Sequence, residues 1–264
     1  MISKTQLPEN LREIIKRQDQ KYGTEVDIVD RDRLPSVDDI PGEDSARRIR
    51  IKDVICVFVD MKNSTKLSAR QHAKSTSKTY TLFTGTATRI FRQLDASYID
   101  IKGDGVFALF NYDQPHTALA AAVTFRTFVQ EVFSAKVKSK TDIDTGVHIG
   151  IDQSVLVVHK VGLRPHAQRD DMHNEVWAGK AVNQAAKLAS LSSDDEIHVS
   201  ETFYKKLKSK EALYCCRCSP PTLLWNEVDV SLDERFKFRT AHVLNSSWCK
   251  THGAEYMQAI VDAD

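Results

Sequence analysis

The chain has 264 residues, enough for one large domain or two small ones, and 41% of them are hydrophobic, which suits an ordinary globular core. The formal net charge of +1 argues against nucleic acid or an anionic membrane as a partner. No apolar run is long enough to span a bilayer, the N-terminus lacks the apolar stretch of a signal peptide, and five cysteines give no paired disulfide framework, so we expect a cytoplasmic protein with reduced thiols.

Residues 1–50 are highly charged and are predicted to form a lead-in to the core. They contain one helix pattern, Leu11–Tyr22, followed by an irregular segment rich in proline and acidic residues. The core is predicted to begin near Ile51. There the apolar, β-branched run DVICVFVD is typical of a central strand covered on both faces. The polar run MKNSTKL that follows is predicted to be a loop.

The elements that follow define the fold class. A long helix is predicted from the three- and four-residue spacing of apolar residues between Leu82 and Leu94. In chain order we then expect a hairpin in SYIDIKGDGVFALF, a helix in TALAAAVTFRTFVQEVF, two strands in DTGVHIGID and SVLVVHKVG, a polar loop, a helix in GKAVNQAAKLASL and a strand in EIHVS. This order, β-α-β-β-α-β, predicts an α+β ferredoxin-like domain over residues 51–207. Residues 208–264 are predicted to be a C-terminal appendage packed on that core.

Two acidic residues occupy positions where neighbouring strands end. Asp60 closes the first central strand, and Asp104 lies in the hairpin turn between Gly103 and Gly105. Two carboxylates that converge can hold two divalent ions about 4 Å apart, the arrangement used for displacement at phosphorus. The glycines permit positive φ and a close approach to a ligand. The alternative interpretation is that both aspartates simply form turns.

Four stretches in the expected order resemble the class III nucleotidyl cyclases. They are FVDMKNSTKL, IKGDGVFALF, GKAVNQAAKLAS and HVSETFYKKL, and the similarity runs from Ile51 to Leu207. The resemblance implies a head-to-tail homodimer with shared active sites, each taking its acidic residues from one subunit and its asparagine-bearing helix from the other. It also implies attack of a ribose 3′-oxygen on the α-phosphorus of a nucleoside triphosphate, with pyrophosphate leaving.

The resemblance also implies roles for individual residues. Asn183 would orient the ribose, and Lys187 stands where the family usually has a transition-state arginine, so it keeps the charge but loses the bidentate fork. The alternatives are a helix hydrogen bond for Asn183 and a solvated charge for Lys187. Two Mn²⁺ or Mg²⁺ ions would be held by Asp60, Asp104 and the carbonyl of Met61, and the backbone amides of Lys62, Asn63, Ser64 and Thr65 would bind phosphates.

The positions that select the base depart from the purine cyclases. They hold Asp100 and Val176, with the bulky Trp177 beside the second, which is compatible with a pyrimidine; the alternative is that Trp177 is a core residue. The overall pattern is most similar to the Pycsar pyrimidine cyclases of bacterial anti-phage defence. That similarity implies a bacterial cytoplasmic enzyme that makes cyclic UMP or cyclic CMP for a separate effector protein. UTP is favoured because uridylate cyclases are the commoner kind, with CTP, or a catalytically silent nucleotide-binding module, as alternatives.

Two further groups of residues leave alternatives open. No lysine matches the one that grips the terminal phosphates in purine cyclases, and the replacements are Lys102, Arg47, Arg48 and Arg50, unless these are solvated charges. Cysteine and histidine pairs near the C-terminus have the spacing of zinc ligands, or else are free thiols in a reducing cytosol. These residues are Cys215, Cys218, Cys249 and His252.

Overall fold

The computed structural model describes residues 6–162, 173–193, 196–216, 218 and 220–264, and these form one mixed sheet flanked by helices. The strands are β1 (Asp27–Arg31), β2 (Arg47–Met61), β3 (Tyr98–Lys102), β4 (Gly105–Asn111), β5 (Val147–Gly162), β6 (His173–Gly179), β7 (Ile197–Ser200), β8 (Trp225–Asp229) and β9 (Thr240–Leu244). The α-helices are α1 (Glu9–Tyr22), α2 (Ser64–Arg70), α3 (Ala73–Gln93), α4 (Pro115–Phe128), α5 (Ser134–Thr141), α6 (Lys180–Leu191), α7 (Glu201–Tyr204), α8 (Lys210–Leu213) and α9 (Gly253–Val261). Within these residues no helix combines the length and the apolar character needed to cross a membrane.

The predicted α+β ferredoxin-like core is confirmed by the order of the strands. The sheet runs β3-β4-β2-β5-β7-β9-β8, while β1 pairs with β2 and β6 pairs with β5. Its first four strands, with α3 and α4 as the connecting helices, give the predicted β-α-β-β-α-β unit. The predicted hairpin is β3 and β4, which pair antiparallel from Tyr98 with Leu109 to Lys102 with Gly105.

The two faces of the sheet bury different sets of side chains. Along β2, Val57, Val59 and Met61 pack in the cluster that contains the apolar residues of α3 and α4. The alternate residues Cys56 and Phe58 pack with residues of α6 on the other face. Because successive strand residues point to opposite faces, Asp60 lies on the α6 face, at the end of β2.

Helix α6 approaches the sheet very closely at Gly150 of β5. A Cβ atom placed on Gly150 would lie 2.0 Å from the carbonyl oxygen of Ala185 and 2.4 Å from the nitrogen of Ala189. The inner surface of α6 is therefore built from small residues that allow backbone to pack on backbone. This contact fixes α6, and with it Asn183 and Lys187, over the centre of the sheet.

The structure corrects several predicted elements. The polar run MKNSTKL contains the start of α2, so it is a short helix after a two-residue turn instead of a loop. The two strands predicted between residues 144 and 162 are one strand, β5, whose first half pairs with one part of β2 and whose second half also pairs with β6. Strand β6 replaces the end of the polar loop predicted before α6; the preceding loop residues, 163–172, lie outside the described residues.

The segments on either side of the predicted catalytic domain also contribute to the sheet. Strand β2 begins at Arg47, before the predicted boundary at residue 51, and β1 pairs parallel with it. Strands β8 and β9 extend the other side. The Asp264 carboxylate accepts hydrogen bonds from the backbone nitrogens of His116 and Thr117, at 2.9 and 2.7 Å, at the start of α4. The appendage is therefore joined to the core through strands and through this contact.

Candidate active site

Asp60 and the hairpin turn that carries Asp104 are neighbours in the sheet. Asp60 of β2 pairs with Gly105, the first residue of β4, and Asp104 directly precedes that glycine. A Cβ atom on Gly105 would lie 3.1 Å from Oδ1 of Asp60, so a larger residue would crowd this carboxylate. Gly103 adopts a φ of 68°, in the left-handed region that favours glycine. The glycines thus allow the turn to close against Asp60.

The ionisation of Asp60 reflects these surroundings. Burial raises the pKa of Asp60 to about 6 from a usual value of 3.8, and the negative charge of Asp104 raises it further, while His148 opposes the shift. Among the described residues neither carboxylate forms an ion pair with a basic side chain. Two neighbouring carboxylates without a basic ion-pair partner favour a bound cation.

An open cleft of about 560 Å³ begins at Asp60 and follows the chain into α2. It brings together six residues that the sequence assigns to the site. Its lining is Asp60, Met61, Lys62, Asn63, Ser64, Thr65, Lys66, Ala69 and His148. Carboxylate and carbonyl oxygens are hard ligands that suit Mg²⁺ and Mn²⁺, so the residues at the head of the cleft fit the divalent ions that the resemblance implies.

The backbone of the cleft is only partly available to a ligand. The Lys62 amide, predicted to bind a phosphate, instead donates a hydrogen bond to the carbonyl oxygen of Gly146 at 3.1 Å, because it extends the pairing of β2 with the chain before β5. Asn63 has a φ of 61°, which turns the chain sharply into α2. The amides of Ser64 and Thr65 then fall in the first turn of α2, where a helix offers them no acceptor.

His148 is a cleft residue that the sequence analysis missed. It pairs with Asp60 across β2 and β5, and its Nδ1 lies 2.6 Å from the carbonyl oxygen of Ser192, so that nitrogen carries the proton. The signal that could have found it is the alternation of VHIGID. In an antiparallel partner of β2, that alternation places His148 on the same face as Asp60 and Gly150.

Asp100 and Trp177 lie on the same face of the sheet as Asp60. Asp100 pairs with Phe107 in the hairpin and accepts a hydrogen bond from Nζ of Lys102 at 2.7 Å. Trp177 is only 8% exposed and packs on Tyr98, with ring centroids 4.5 Å apart. Trp177 is therefore a core residue, and Val176 beside it is exposed.

Asn183 and Lys187 lie on the outer surface of α6. They are four residues apart and so share a helix face, opposite the alanines that pack on the sheet. Asn183 is exposed, and Nζ of Lys187 donates to the carbonyl oxygen of Arg235 at 2.7 Å. Within the part of the chain that the structure describes, no hydrogen bond or ion pair joins either residue to Asp60 or Asp104.

Three of the four candidates for gripping terminal phosphates lie far from the acidic residues within one chain. Arg47, Arg48 and Arg50 are at the start of β2, and Asp60 is near its end, ten or more strand residues away, or roughly 30 Å. Arg50 forms a two-point hydrogen bond with Asp30 of β1, at 2.6 and 2.9 Å. These arginines therefore lie at the opposite end of β2 from Asp60, and the remaining candidate is Lys102, next to the hairpin turn.

Comparison with known proteins bears on the fold and the chemistry. Residues 47–221 match the family described as the adenylate and guanylate cyclase catalytic domain. A uridylate cyclase of Micromonospora echinofusca is 34% identical over 219 residues, which cover 81% of this chain and 70% of that protein. A uridylate cyclase of Propioniciclava tarda is 33% identical over 243 residues, covering 89% and 77%.

Solved structures with the same fold include two catalytic domains of this kind. The adenylyl cyclase CyaB from P. aeruginosa superposes with a TM-score of 0.60 at 17% identity, covering 77% of this chain and 97% of that one. The guanylate cyclase domain of RhGC from Catenaria anguillulae, in complex with GTP, gives a TM-score of 0.59 at 17% identity, covering 75% and 98%. With a family match over most of its length, this chain belongs to the adenylate and guanylate cyclase catalytic-domain family and is a nucleotidyl cyclase.

Proposed function

We propose that this nucleotidyl cyclase converts UTP to 3′,5′-cyclic UMP and pyrophosphate. The observation that carries the proposal is the meeting of Asp60 with the Asp104 turn at the head of the cleft, in a chain whose relatives are named uridylate cyclases over most of its length. The reaction requires alignment of the 3′-oxygen with the α-phosphorus and neutralisation of the triphosphate charge, and little covalent chemistry from the protein.

The residues would divide this work as follows. Asp60, Asp104 and the Met61 carbonyl would hold two divalent ions, Mg²⁺ or Mn²⁺, which supply charge neutralisation and acidify the 3′-hydroxyl. The amides that begin α2, at Ser64 and Thr65, would contact phosphate oxygens, together with Asn63. Asn183 would orient the ribose, and Lys187 would balance charge on the α-phosphoryl group.

The proposed choice of a pyrimidine base rests on Asp100, which lies on the same face of the sheet as Asp60. Asp100 is an acceptor, and uracil offers it the N3–H group whereas cytosine offers an exocyclic amine, so Asp100 alone is compatible with both. The names of the relatives favour uracil. Trp177 would act indirectly, because it supports the ring of Tyr98, which lies two residues before Asp100.

We also propose that the active enzyme is a homodimer with shared sites. The support is the position of Asn183 and Lys187 on the outer surface of α6, where a second chain can contact them, and the lack of a hydrogen bond or ion pair between them and Asp60 or Asp104 within the described residues. Helix α1 adds an exposed apolar stripe, Leu11, Ile14 and Ile15, of the kind that a second surface covers. The resemblance to the Pycsar cyclases further supports a bacterial cytoplasmic role in anti-phage signalling through a separate effector.

The test is incubation of the purified protein with each of the four ribonucleoside triphosphates and Mn²⁺, with products separated by chromatography. We expect cyclic UMP from UTP, much less product from the other three, and none from Asp60→Ala. Asp113→Ala, in the turn after β4, serves as the control that should remain active. If cyclic CMP is the main product, the substrate is CTP and not UTP. Turnover in Asp60→Ala would overturn the assignment of Asp60 as a metal ligand. No cyclic product from any nucleotide would overturn the proposal and leave a silent nucleotide-binding module.

A further inference from the structure

Four metal-ligating side chains meet in the C-terminal segment, away from the active site. They are Cys216, Cys218, Cys249 and His252, and their ligand atoms all lie within 4.8 Å of one another. The set differs by one residue from the one the sequence spacing suggests: Cys216 takes the place of Cys215. The Cys215 sulfur instead donates to the carbonyl oxygen of Pro220 at 3.2 Å and accepts from the Thr222 nitrogen at 3.3 Å.

The distances within the cluster fit a tetrahedral ion. The sulfur atoms of Cys218 and Cys249 are 3.8 Å apart, and the Cys218 sulfur is 3.2 Å from Nδ1 of His252. Ligands at Zn–S and Zn–N distances of about 2.3 and 2.0 Å lie about 3.5 to 3.8 Å from one another across a tetrahedron. A disulfide requires sulfur atoms about 2.05 Å apart, so the 3.8 Å separation excludes that bond between Cys218 and Cys249. Cys216 is likewise unbridged.

The backbone holds the two ligand segments in place without the ion. The first two ligands lie between two short stretches that pair: Tyr214 bridges Leu223, and the Cys215 nitrogen donates to the Thr222 carbonyl at 2.9 Å. The other two flank the turn that starts α9, where the Gly253 nitrogen donates to the Cys249 carbonyl at 2.7 Å. Amides of Thr251 and His252 donate to the Cys249 sulfur, the kind of support that orients thiolate ligands.

We propose that these four residues bind one structural Zn²⁺. Three sulfur ligands and one imidazole form a complete Cys₃His set, which leaves no open position for catalysis. The ion would join Cys216 and Cys218 to the start of α9. Both segments line an apolar cavity of about 150 Å³. Trp248 also lines this cavity, and its indole nitrogen donates a hydrogen bond to the Thr124 hydroxyl of α4 at 3.0 Å. Zinc would thereby fasten the C-terminal segment to the catalytic core, and this proposal is independent of the nucleotide substrate.

The test measures metal content in untagged, full-length protein by elemental analysis after gel filtration. We expect close to one zinc per chain, and at least a tenfold loss in Cys218→Ser and Cys249→Ser. Cys215→Ser is the matched control, because it removes a neighbouring thiol outside the cluster and should keep its zinc. Protein free of zinc that also fails to take it up, or equal loss in Cys215→Ser, would overturn the proposal.

A second measurement uses only wild-type protein, so it tests the proposal even if the cysteine variants fail to fold. Wild-type protein stripped by a chelator and then titrated with Co²⁺ should develop the visible absorption bands of a tetrahedral thiolate site, with one equivalent required. Added Zn²⁺ should bleach those bands and restore the melting temperature that the chelator lowered. Absence of the bands, or a melting temperature that neither chelator nor Zn²⁺ moves, would show that the residues meet without holding an ion.

Discussion

Asp60 is a carboxylate that the fold makes difficult to ionise. Its pKa, raised to about 6 first by burial and then by Asp104, exceeds the usual 3.8, so the folded chain holds this proton more tightly than the unfolded chain. The free energy of unfolding of the metal-free protein therefore loses this contribution as pH rises from 3.8 to about 6, and stays lower above that range. A divalent ion at the site would remove the penalty.

We therefore predict that Asp60→Asn, which keeps the shape of the side chain without its charge, melts at a higher temperature than wild type in metal-free buffer at about pH 7.5. The difference should shrink at about pH 4.5, where the folded wild type is largely protonated. Mn²⁺ should raise the melting temperature of wild type and leave that of Asp60→Asn nearly unchanged. Differential scanning fluorimetry measures all three effects.

Asp19→Asn, on the exposed face of α1, is the control for the loss of one negative charge. It should melt like wild type and respond to Mn²⁺ like wild type. An equal Mn²⁺ shift in Asp60→Asn would mean that the ion binds without this carboxylate, and the assignment of Asp60 as a metal ligand would be wrong.

Lys187 offers a second test at the scale of one side chain. If its charge stabilises the transition state, Lys187→Ala should lower kcat roughly 100-fold with little change in KM, since the interaction strengthens only as charge develops. Lys187→Arg should retain activity, because a guanidinium keeps the charge and adds the two-point geometry that the family usually has. Steady-state kinetics with UTP give both constants.

Lys180→Ala, at the exposed start of the same helix, controls for loss of a lysine on α6. The hydrogen bond from Lys187 to the Arg235 carbonyl provides a structural explanation that must be separated from a catalytic one. If Lys187→Ala lowers kcat only as far as it lowers the melting temperature, or if Lys187→Arg is as impaired as Lys187→Ala, the lysine has a structural role.

At the scale of elements, the position of α6 depends on Gly150. A methyl group there would meet backbone atoms of Ala185 and Ala189, which cannot rotate away as a side chain would. Overpacking a core typically costs about 1–3 kcal/mol, and we expect Gly150→Ala to reach or exceed the top of that range. Urea unfolding measures the loss, and cyclase activity should fall with it, because α6 carries Asn183.

Gly42→Ala is the matched control, since a Cβ atom there meets nothing within 4 Å. It should leave both stability and activity near wild type. If Gly150→Ala also left stability and activity unchanged, α6 would pack less closely on β5 than the structure shows. The close approach could then not be what positions the helix.

The order of the elements could be predicted because the core strands and helices carry local signals. A continuous apolar, β-branched run indicates β2, a three- and four-residue spacing indicates α3, and the antiparallel pairing then brings Asp60 beside the turn of Asp104. The exact bounds were not predicted, because exposed charged residues such as Arg47 and Arg50 alternate with buried isoleucines at the start of β2, and the charged residues hide the strand.

The parts that escaped prediction depend on contacts between distant segments. His148 reaches the cleft only through the register of β5 on β2, and the Lys62 amide is engaged only because Gly146 lies opposite. The spacing of cysteines suggests Cys215 and Cys218, but the Cys215 sulfur is directed toward the carbonyl oxygen of Pro220. A spacing rule counts residues and does not say which side of a turn a thiol occupies.

At the scale of the whole molecule, the two parts of the proposed site lie on different elements, and within the described residues no hydrogen bond or ion pair joins them. The acidic residues lie at the strand ends beside the cleft, while Asn183 and Lys187 point outward from α6. If a second copy completes the site, the parts must come from different chains. A chain that lacks Asp60 and a chain that lacks Asn183 are then defective in complementary ways.

We predict that Asp60→Ala and Asn183→Ala are each inactive alone and regain activity when mixed under conditions that allow subunits to exchange. Half of randomly paired dimers are mixed, and each mixed dimer has one intact site out of two, so the recovered rate should approach about a quarter of wild type. Mixing Asp60→Ala with Asp104→Ala is the control: both changes affect the same half of the site, and no pairing makes a complete one. Recovery in the control, or none in the test mixture after exchange has been verified by mass spectrometry, would mean that each chain builds its own site.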